Sequence, residues 1–403
     1  MKTAFLIEGS PKNPGGYNQV INTVKFLNLN TKHNKDDFEF IANNKSLVKK
    51  LQENGINSIF YKKNLLDKVF DYLFDLDLFY NFFIKINFQH SFVKFLKKRN
   101  IDLVFFLSPS KLAFFCNDVN FVINIWDLDH KKNSIFPEHK RDYTFEKREI
   151  FLNNVLFKSF KVIVAHDENK KDLVNLYNCE EKQIVVQDFI PYIPNMNEDE
   201  VSRLHQDEIL LLEDLPKDKK IIIYPATFWA HKNHKYIVDV AYLLKKNNID
   251  DFYFVMCGSN RGTFKYIKEL ISKNNLDHII KIFTLISDSM LKKLYEKCYA
   301  VVMPTDTGPT NLPLYESMYF KKPIFYSDKI LNDKKLNDII VPIDTSDPYS
   351  FFVRLNNLKN EKILEKIKLG YDYYNKNCSQ EKLWKTYINI INEFKKEITK
   401  WKN

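Results

Sequence analysis

The sequence predicts an α/β protein with two domains, each built on a mostly parallel sheet. Three observations carry that expectation. At 403 residues the chain exceeds what one hydrophobic core usually organises, and it fits two domains of roughly 100–200 residues. Short apolar runs alternate with segments of helical periodicity through both halves, as they do where strands and crossover helices take turns. Pro191, Pro194 and the charged stretch from Asn197 to Lys220 interrupt the alternation, which places a domain boundary near 190–220 and implies a cleft.

In the first half, Thr3 to Glu8 reads as a buried strand. It runs into Ser10-Pro11-Lys12-Asn13-Pro14-Gly15-Gly16 and then a helix from Tyr17 through Leu29. Further strands are expected at Asp37 to Ile41, Ser58 to Tyr61, Ile101 to Phe106, Phe121 to Ile125 and Lys161 to Ala165. Phe88, Phe92, Phe95 and Leu96 recur at helical spacing among Lys94, Lys97, Lys98 and Arg99, a pattern that suits either an interfacial helix on anionic lipid or ordinary packing. The second half repeats the scheme. Strands are expected at Lys220 to Tyr224, Phe252 to Cys257, Ile279 to Phe283, Ala300 to Met303 and Pro323 to Tyr326. Helices are expected at His234 to Lys246, Thr263 to Lys273, Asp288 to Glu296 and Leu314 to Phe320, with a closing helix over Glu381 to Lys400.

Composition narrows the class. Hydrophobic residues make up 45% and charged residues 28%, which supports a packed core and excludes a largely disordered chain. Only 8 glycines are present, so glycine-repeat and glycine-linker readings fail. The net charge of +10 favours anionic partners or simply a lysine-rich surface, and no nucleic-acid reader motif accompanies it. Five widely spaced cysteines, at 116, 179, 257, 298 and 378, suggest neither a disulfide framework nor a zinc knuckle, and a cytoplasmic location follows. The opening residues lack the long apolar region of a secretory signal, and nowhere do 18 apolar residues run together.

Four clusters carry candidate chemistry. Gly15-Gly16, between a strand and a helix, would let backbone N–H groups approach a phosphate or sugar, although a tight turn explains them too. They form neither a GxGxxG nor a Walker pattern. Asn124-Ile125-Trp126-Asp127-Leu128-Asp129-His130 puts acids and an imidazole at the carboxyl end of a strand, where they would orient hydroxyls; local capping is the alternative. Tyr224 through Thr227, His231, Lys232, Asn233 and His234 follows another strand, and Lys232 near a helix start suits a diphosphate. The two histidines alone make no metal site. Pro304 through Gly308-Pro309-Thr310-Asn311-Leu312 to Glu316 is a loop of glycine, prolines and hydroxyls feeding a helix; Glu316 there would accept two ribose hydroxyls or simply complement the helix terminus.

In this order the clusters resemble the retaining glycosyltransferases of family 4, also called glycosyltransferase group 1. The resemblance is strongest over 220–350 and covers most of both domains. It implies a GT-B fold: residues 1–195 as an acceptor-side Rossmann-like domain, 196–380 as the nucleotide-sugar-binding one, and 381–403 as a helix crossing back to the first. By the resemblance, Lys232 neutralises the donor diphosphate, Glu316 binds ribose, and Gly308, Pro309, Thr310, Asn311 and Leu312 hold donor sugar and phosphate. Gly15, Gly16 and Thr227 are assigned to the donor, and Asp127, Asp129 and His130 to the acceptor, with Asp127, His130 and Lys232 as the catalytic candidates; Arg261, after Cys257-Gly258-Ser259-Asn260, would add positive charge to the donor site from a neighbouring loop or simply lie at the surface. The implied reaction moves a hexose, mannose and rhamnose among the candidates, from a nucleotide diphosphate sugar to a hydroxyl of a growing surface glycan such as lipopolysaccharide. That acceptor is lipid-linked in one version, with the protein peripheral to anionic lipid at the inner face of a bacterial cytoplasmic membrane. No cofactor or essential metal is implied, and no nucleic acid is expected as a partner.

This chain departs from the family at three places: Thr227 stands where Arg is frequent, Gly308 where the first of two glutamates is frequent, and Trp126 where histidine is usual. Two other functions remain in play: a sugar-nucleotide epimerase, which needs no acceptor, and a glycan-binding or scaffold protein without turnover.

Overall fold

A computed structural model describes residues 1–9, 14–31, 37–73, 89–191, 204–284, 286–308, 312–329, 334–356 and 361–401. The chain forms two compact units. Unit 1 comprises Met1–Lys132, Lys140–Ile190 and Cys378–Asn403, and unit 2 comprises Asn133–His139 and Pro191–Asn377. The short excursion Asn133–His139 therefore departs from the expectation that residues 1–195 form one body.

Unit 1 is built on seven parallel strands: β1 (Thr3–Ile7), β2 (Phe38–Ala42), β3 (Ile59–Phe60), β4 (Leu103–Phe106), β5 (Asn120–Asn124), β6 (Lys161–Val164) and β7 (Ile184–Val186), in the order β3-β2-β1-β4-β5-β6-β7. Residues 3–7 and 103–106 are buried throughout, as strands covered on both faces require. The order reverses between β1 and β4, and ligands of open parallel sheets gather at the carboxyl ends beside such a reversal.

Three expectations change in unit 1. The helix after β1 begins at Pro14, so Gly15 and Gly16 lie in its first turn instead of in a loop. The helix Ser91–Lys98 turns Phe92 and Leu96 fully into the core, with Phe95 packed against it. That apolar face is spent on the sheet and is not offered to lipid; Phe88 lies outside the described residues. The edge strand β7 has no counterpart in the expected series.

Unit 2 repeats the plan with six parallel strands: β8 (Lys220–Pro225), β9 (Phe252–Cys257), β10 (Ile280–Phe283), β11 (Ala300–Met303), β12 (Ile324–Ser327) and β13 (Val341–Ile343), ordered β10-β9-β8-β11-β12-β13. Its reversal falls between β8 and β11. Pairing there is brief, Ala300 with Ile222 and Val301 with Ile223, whereas β8 stays paired to β9 as far as Pro225. The last residues of β8 thus run past its pairing with β11. The unexpected strand β13 contains Pro342, which an edge position tolerates.

All five cysteines are buried and unpaired. Among the described residues no helix is long and apolar enough to cross a membrane.

Candidate active site

The loops at the reversal point of unit 2 are two of the clusters singled out in the sequence. After β8, residues Ala230–Lys232 make a single 3-10 turn, and Asn233 takes a left-handed conformation (φ 51°) before the helix His234–Lys246 begins. Asparagine adopts that conformation more readily than most residues, and the Asn233 Nδ2 donates to the Thr345 carbonyl at 3.4 Å. The Tyr224 hydroxyl donates to the Lys232 carbonyl, which ties the lysine's backbone to the end of the strand. Lys232 is half-buried. His234 is a core residue: it is 1% exposed, stacks on Phe228 with ring centroids 4.1 Å apart, and donates from Nε2 to the Ala226 carbonyl at 3.2 Å. Burial pushes its imidazole down to about 3, so it stays neutral.

The loop after β9 is stitched to the loop after β8. Thr227 Oγ1 meets Ser259 Oγ at 3.2 Å, Phe228 N donates to the Ser259 carbonyl at 3.3 Å, and Thr263 donates twice to the Phe228 carbonyl. Gly258 permits this approach, since a Cβ there would stand 2.0 Å from the Ala226 carbonyl oxygen. Arg261 belongs to the same stitched loop and is exposed. A cation from β9's loop thus accompanies Thr227, where the resemblance looks for arginine.

The loop after β11 is anchored to the Lys232 turn directly. Asp306 N donates to the His231 carbonyl at 2.8 Å, and Thr305 Oγ1 donates to the same oxygen at 3.2 Å. Thr345 Oγ1 in turn donates to Asp306 Oδ1 at 3.0 Å. Gly308 sits at φ 92°, a region that disfavours any side chain, which explains locally why the frequent glutamate is absent. Pro309, Thr310 and Asn311 lie outside the described residues. Leu312 opens the helix Leu312–Tyr319 and is half-buried. Glu316, on the same helix, accepts a hydrogen bond from the Tyr295 hydroxyl at 2.6 Å. Its carboxyl end is enclosed although the residue as a whole is half-buried, and that burial raises it to about 7, with the Tyr295 bond opposing the rise.

Sequence reading gave Glu138 no role. It lies in the excursion Asn133–His139 and accepts from both the backbone N–H and Nδ1 of His231. Burial alone would raise its carboxyl, but the His231 bonds outweigh it and hold the group down at about 2.

In unit 1, Asp127 and His130 have partners that spacing does not reveal. Arg148 Nη2, from the helix Thr144–Val155, donates to both the carbonyl and Oδ1 of Asp127, each at 2.7 Å. Burial would raise the Asp127 carboxyl, yet Arg148 keeps it below its ordinary range, so it is an anion with 32% of its side chain exposed. His130 is fully buried, with Nε2 on Glu149 Oε1 at 2.8 Å, and burial lowers it to about 4. Asp129 is also buried. Gly16 faces Trp126: a Cβ at Gly16 would stand 2.3 Å from the indole.

Among the described residues no group of three or more His, Cys, Asp or Glu side chains is placed to hold a metal ion.

Two all-parallel α/β units, the second with cation-bearing loops joined at its strand-order reversal, define the GT-B class. The likeness of solved structures agrees. A glycosyltransferase from Rickettsia africae is 18% identical, with a TM-score of 0.67 over 97% of this chain and 98% of that one. HepE from Anabaena, solved with UDP and glucose, is 13% identical, with a TM-score of 0.68 over 98% and 100%. A sucrose-phosphate synthase from Thermosynechococcus elongatus is 14% identical, with a TM-score of 0.69 over 98% and 99%. Within this fold, residues 207–336, about a third of the chain, match the family model described as glycosyl transferases group 1. Two of the four clusters that suggested that family, Tyr224 to His234 and Pro304 to Glu316, lie inside it. No curated protein matches the sequence.

Proposed function

We propose that the protein is a retaining, nucleotide-sugar-dependent hexosyltransferase that adds to a hydroxyl of a growing glycan. The supporting observation is the bracing of the Lys232 turn against the Thr305–Gly308 loop through the His231 carbonyl, at the strand-order reversal of unit 2. Breaking a glycosyl–phosphate bond leaves negative charge on the departing diphosphate. A lysine held at that edge stabilises the charge more as the bond breaks than before, which is the condition for catalysis. Thr227, Arg261 and the loop from Gly308 to Leu312 complete the donor site, and Glu316 takes the ribose hydroxyls. Asp127, a half-buried anion held by Arg148, orients the acceptor. His130 acts through Glu149 because its ring has no exposed surface.

Retention follows if the acceptor attacks from the face the diphosphate leaves and the leaving phosphate takes the acceptor's proton. No protein base is then needed. The reaction is proposed to need no divalent metal, because Lys232 and the loop N–H groups supply the positive charge. An acceptor that is lipid-linked would place the protein at the cytoplasmic face of a membrane.

The test is a panel of UDP-, GDP- and dTDP-hexoses, with UDP-glucose first because HepE was solved with UDP and glucose. Each is offered with free and lipid-linked glycans, with and without EDTA. The expected product carries a new glycosidic bond of retained anomeric configuration by NMR, and Lys232→Ala slows its formation by about 100-fold or more. Conversion of donor into an isomeric nucleotide sugar would favour an epimerase. Glycan binding without donor turnover, indifferent to Lys232→Ala, would favour a binding protein.

A further inference from the structure

The Glu138–His231 pair is the feature that the proposed chemistry leaves unused. Glu138 and His231 lie 93 positions apart and both belong to unit 2. The carboxylate grips residue 231 twice, at its backbone N–H (3.0 Å) and at Nδ1, while the carbonyl of the same residue accepts from Asp306 and Thr305. Position 231 is thereby pinned on both sides of its α-carbon. Phe136 and His139, from the same excursion, pack on the imidazole with centroids at 6.1 and 6.0 Å, which limits how the ring can turn.

The pairing also decides the tautomer. A carboxylate only accepts hydrogen bonds, so Nδ1 carries the proton, and in the neutral ring Nε2 then presents a lone pair. Burial keeps the His231 imidazole below its ordinary range, with Glu138 opposing that shift, so the neutral ring is the form at neutral pH. Nε2 bonds to no described residue, and the side chain keeps 14% of its surface exposed. An oriented acceptor left open next to the diphosphate lysine calls for a donor group from outside the chain.

We propose that Glu138 fixes His231 so that Nε2 accepts a hydrogen bond from a hydroxyl of the nucleotide sugar bound at Lys232. His231 is then a donor-contacting residue, and Glu138 a positioning residue that acts through it. The inference rests on the glycosyltransferase reading for its ligand. The hydroxyl belongs either to the ribose or to the transferred sugar, and the two sources separate on addition of a nucleoside diphosphate without sugar.

The experiment follows the His231 ring by 15N NMR in the full-length protein, with UDP and UDP-glucose as the probes, and calorimetry reports binding separately. In the free protein Nδ1 is protonated and Nε2 is not; the opposite pattern overturns the proposal. A nucleotide sugar moves the Nε2 signal. If UDP alone moves it equally the hydroxyl is the ribose's, and if only the sugar form does the hydroxyl is the sugar's. Binding of both with Nε2 unmoved overturns the inference while leaving the enzyme reading intact. Absence of binding by any nucleotide sugar removes both. In kinetics, His231→Asn keeps a donor toward Glu138 but lacks Nε2, and it lowers kcat/KM for the donor about tenfold, the scale of one hydrogen bond. Glu138→Gln, which keeps an acceptor for the backbone N–H, lets the tautomers mix and lowers kcat/KM by a smaller factor. Unchanged kcat/KM in His231→Asn overturns the proposal, and an unaltered tautomer in Glu138→Gln removes Glu138 from it.

Discussion

In the proposed ribose role, Glu316 joins two demands that conflict. To accept two ribose hydroxyls it must be ionised, yet burial raises its carboxyl to about 7, so near neutral pH a large fraction is protonated. The sign for stability follows from proton counting. The folded state holds a proton that the unfolded chain has released, so the stabilising share of this group is full below about pH 4.5 and is lost as pH rises through about 7. Glu316→Gln removes that loss. Its thermal midpoint should therefore exceed that of the natural protein at pH 8 and differ little at pH 4.5, while its donor KM rises at pH 8. In the natural protein donor KM should climb as pH falls below about 7. Tyr295→Phe deletes the bond that opposes the rise, so the same climb begins at higher pH. A donor KM flat from pH 6 to 8 would remove Glu316 from the ribose role, and a Glu316→Gln protein less stable at pH 8 would show that folding does not raise this carboxyl.

At the scale of elements, what the sequence exposed was local and what it hid was distant. The strand β8, its loop and the helix His234–Lys246 occupy one continuous stretch, so Lys232 could be found from hydrophobic periodicity and a break in it. Glu138 pairs with a residue 93 positions away and Arg148 with one 21 positions away, and no periodic pattern reports such contacts. The short edge strands β7 and β13 were missed, although β3, shorter still, falls within the expected run Ser58 to Tyr61. Gly16 belongs to the same group: its need for no side chain comes from Trp126, far along the chain at the end of another element. That contact makes the departure at Trp126 testable. Gly16→Ala should destabilise unit 1 by about 1–3 kcal/mol through overpacking. Adding Trp126→His, the residue usual in the resembling family, should return most of that loss, and a double-mutant cycle in denaturant measures the coupling. Additive effects would mean that the indole is not what Gly16 accommodates.

For the molecule as a whole, chain order and unit membership part company at the closing helix Gln380–Ile398, which belongs to unit 1 although it follows all of unit 2. Its buried face is what attaches it: Leu383, Tyr387, Ile390, Ile391, Phe394 and Ile398. Tyr387 packs against Phe5 of β1 and Phe105 of β4, and Phe394 against Phe160. Polar contacts set its position along the sheet, with Lys161 to Glu393 at 2.6 Å and Thr386 to Gln187 at 2.6 Å. Burying an apolar side chain contributes roughly 1.5–3 kcal/mol, so six of them rival the roughly 5–15 kcal/mol that holds a whole domain folded. Unit 1 therefore depends on a helix that follows all of unit 2 in the chain, whereas unit 2 has its six strands and the loops after β8 and β11 within the residues up to Asn377. A chain ending at residue 377 should lose the cooperative unfolding transition of unit 1 and expose its sheet to protease. The same chain should still bind a nucleoside diphosphate through Lys232 and Glu316, with affinity within about tenfold of the full chain by calorimetry. Loss of both properties together would show that unit 2 does not hold its fold without unit 1, and retention of both would show that the helix is dispensable to the sheet it covers.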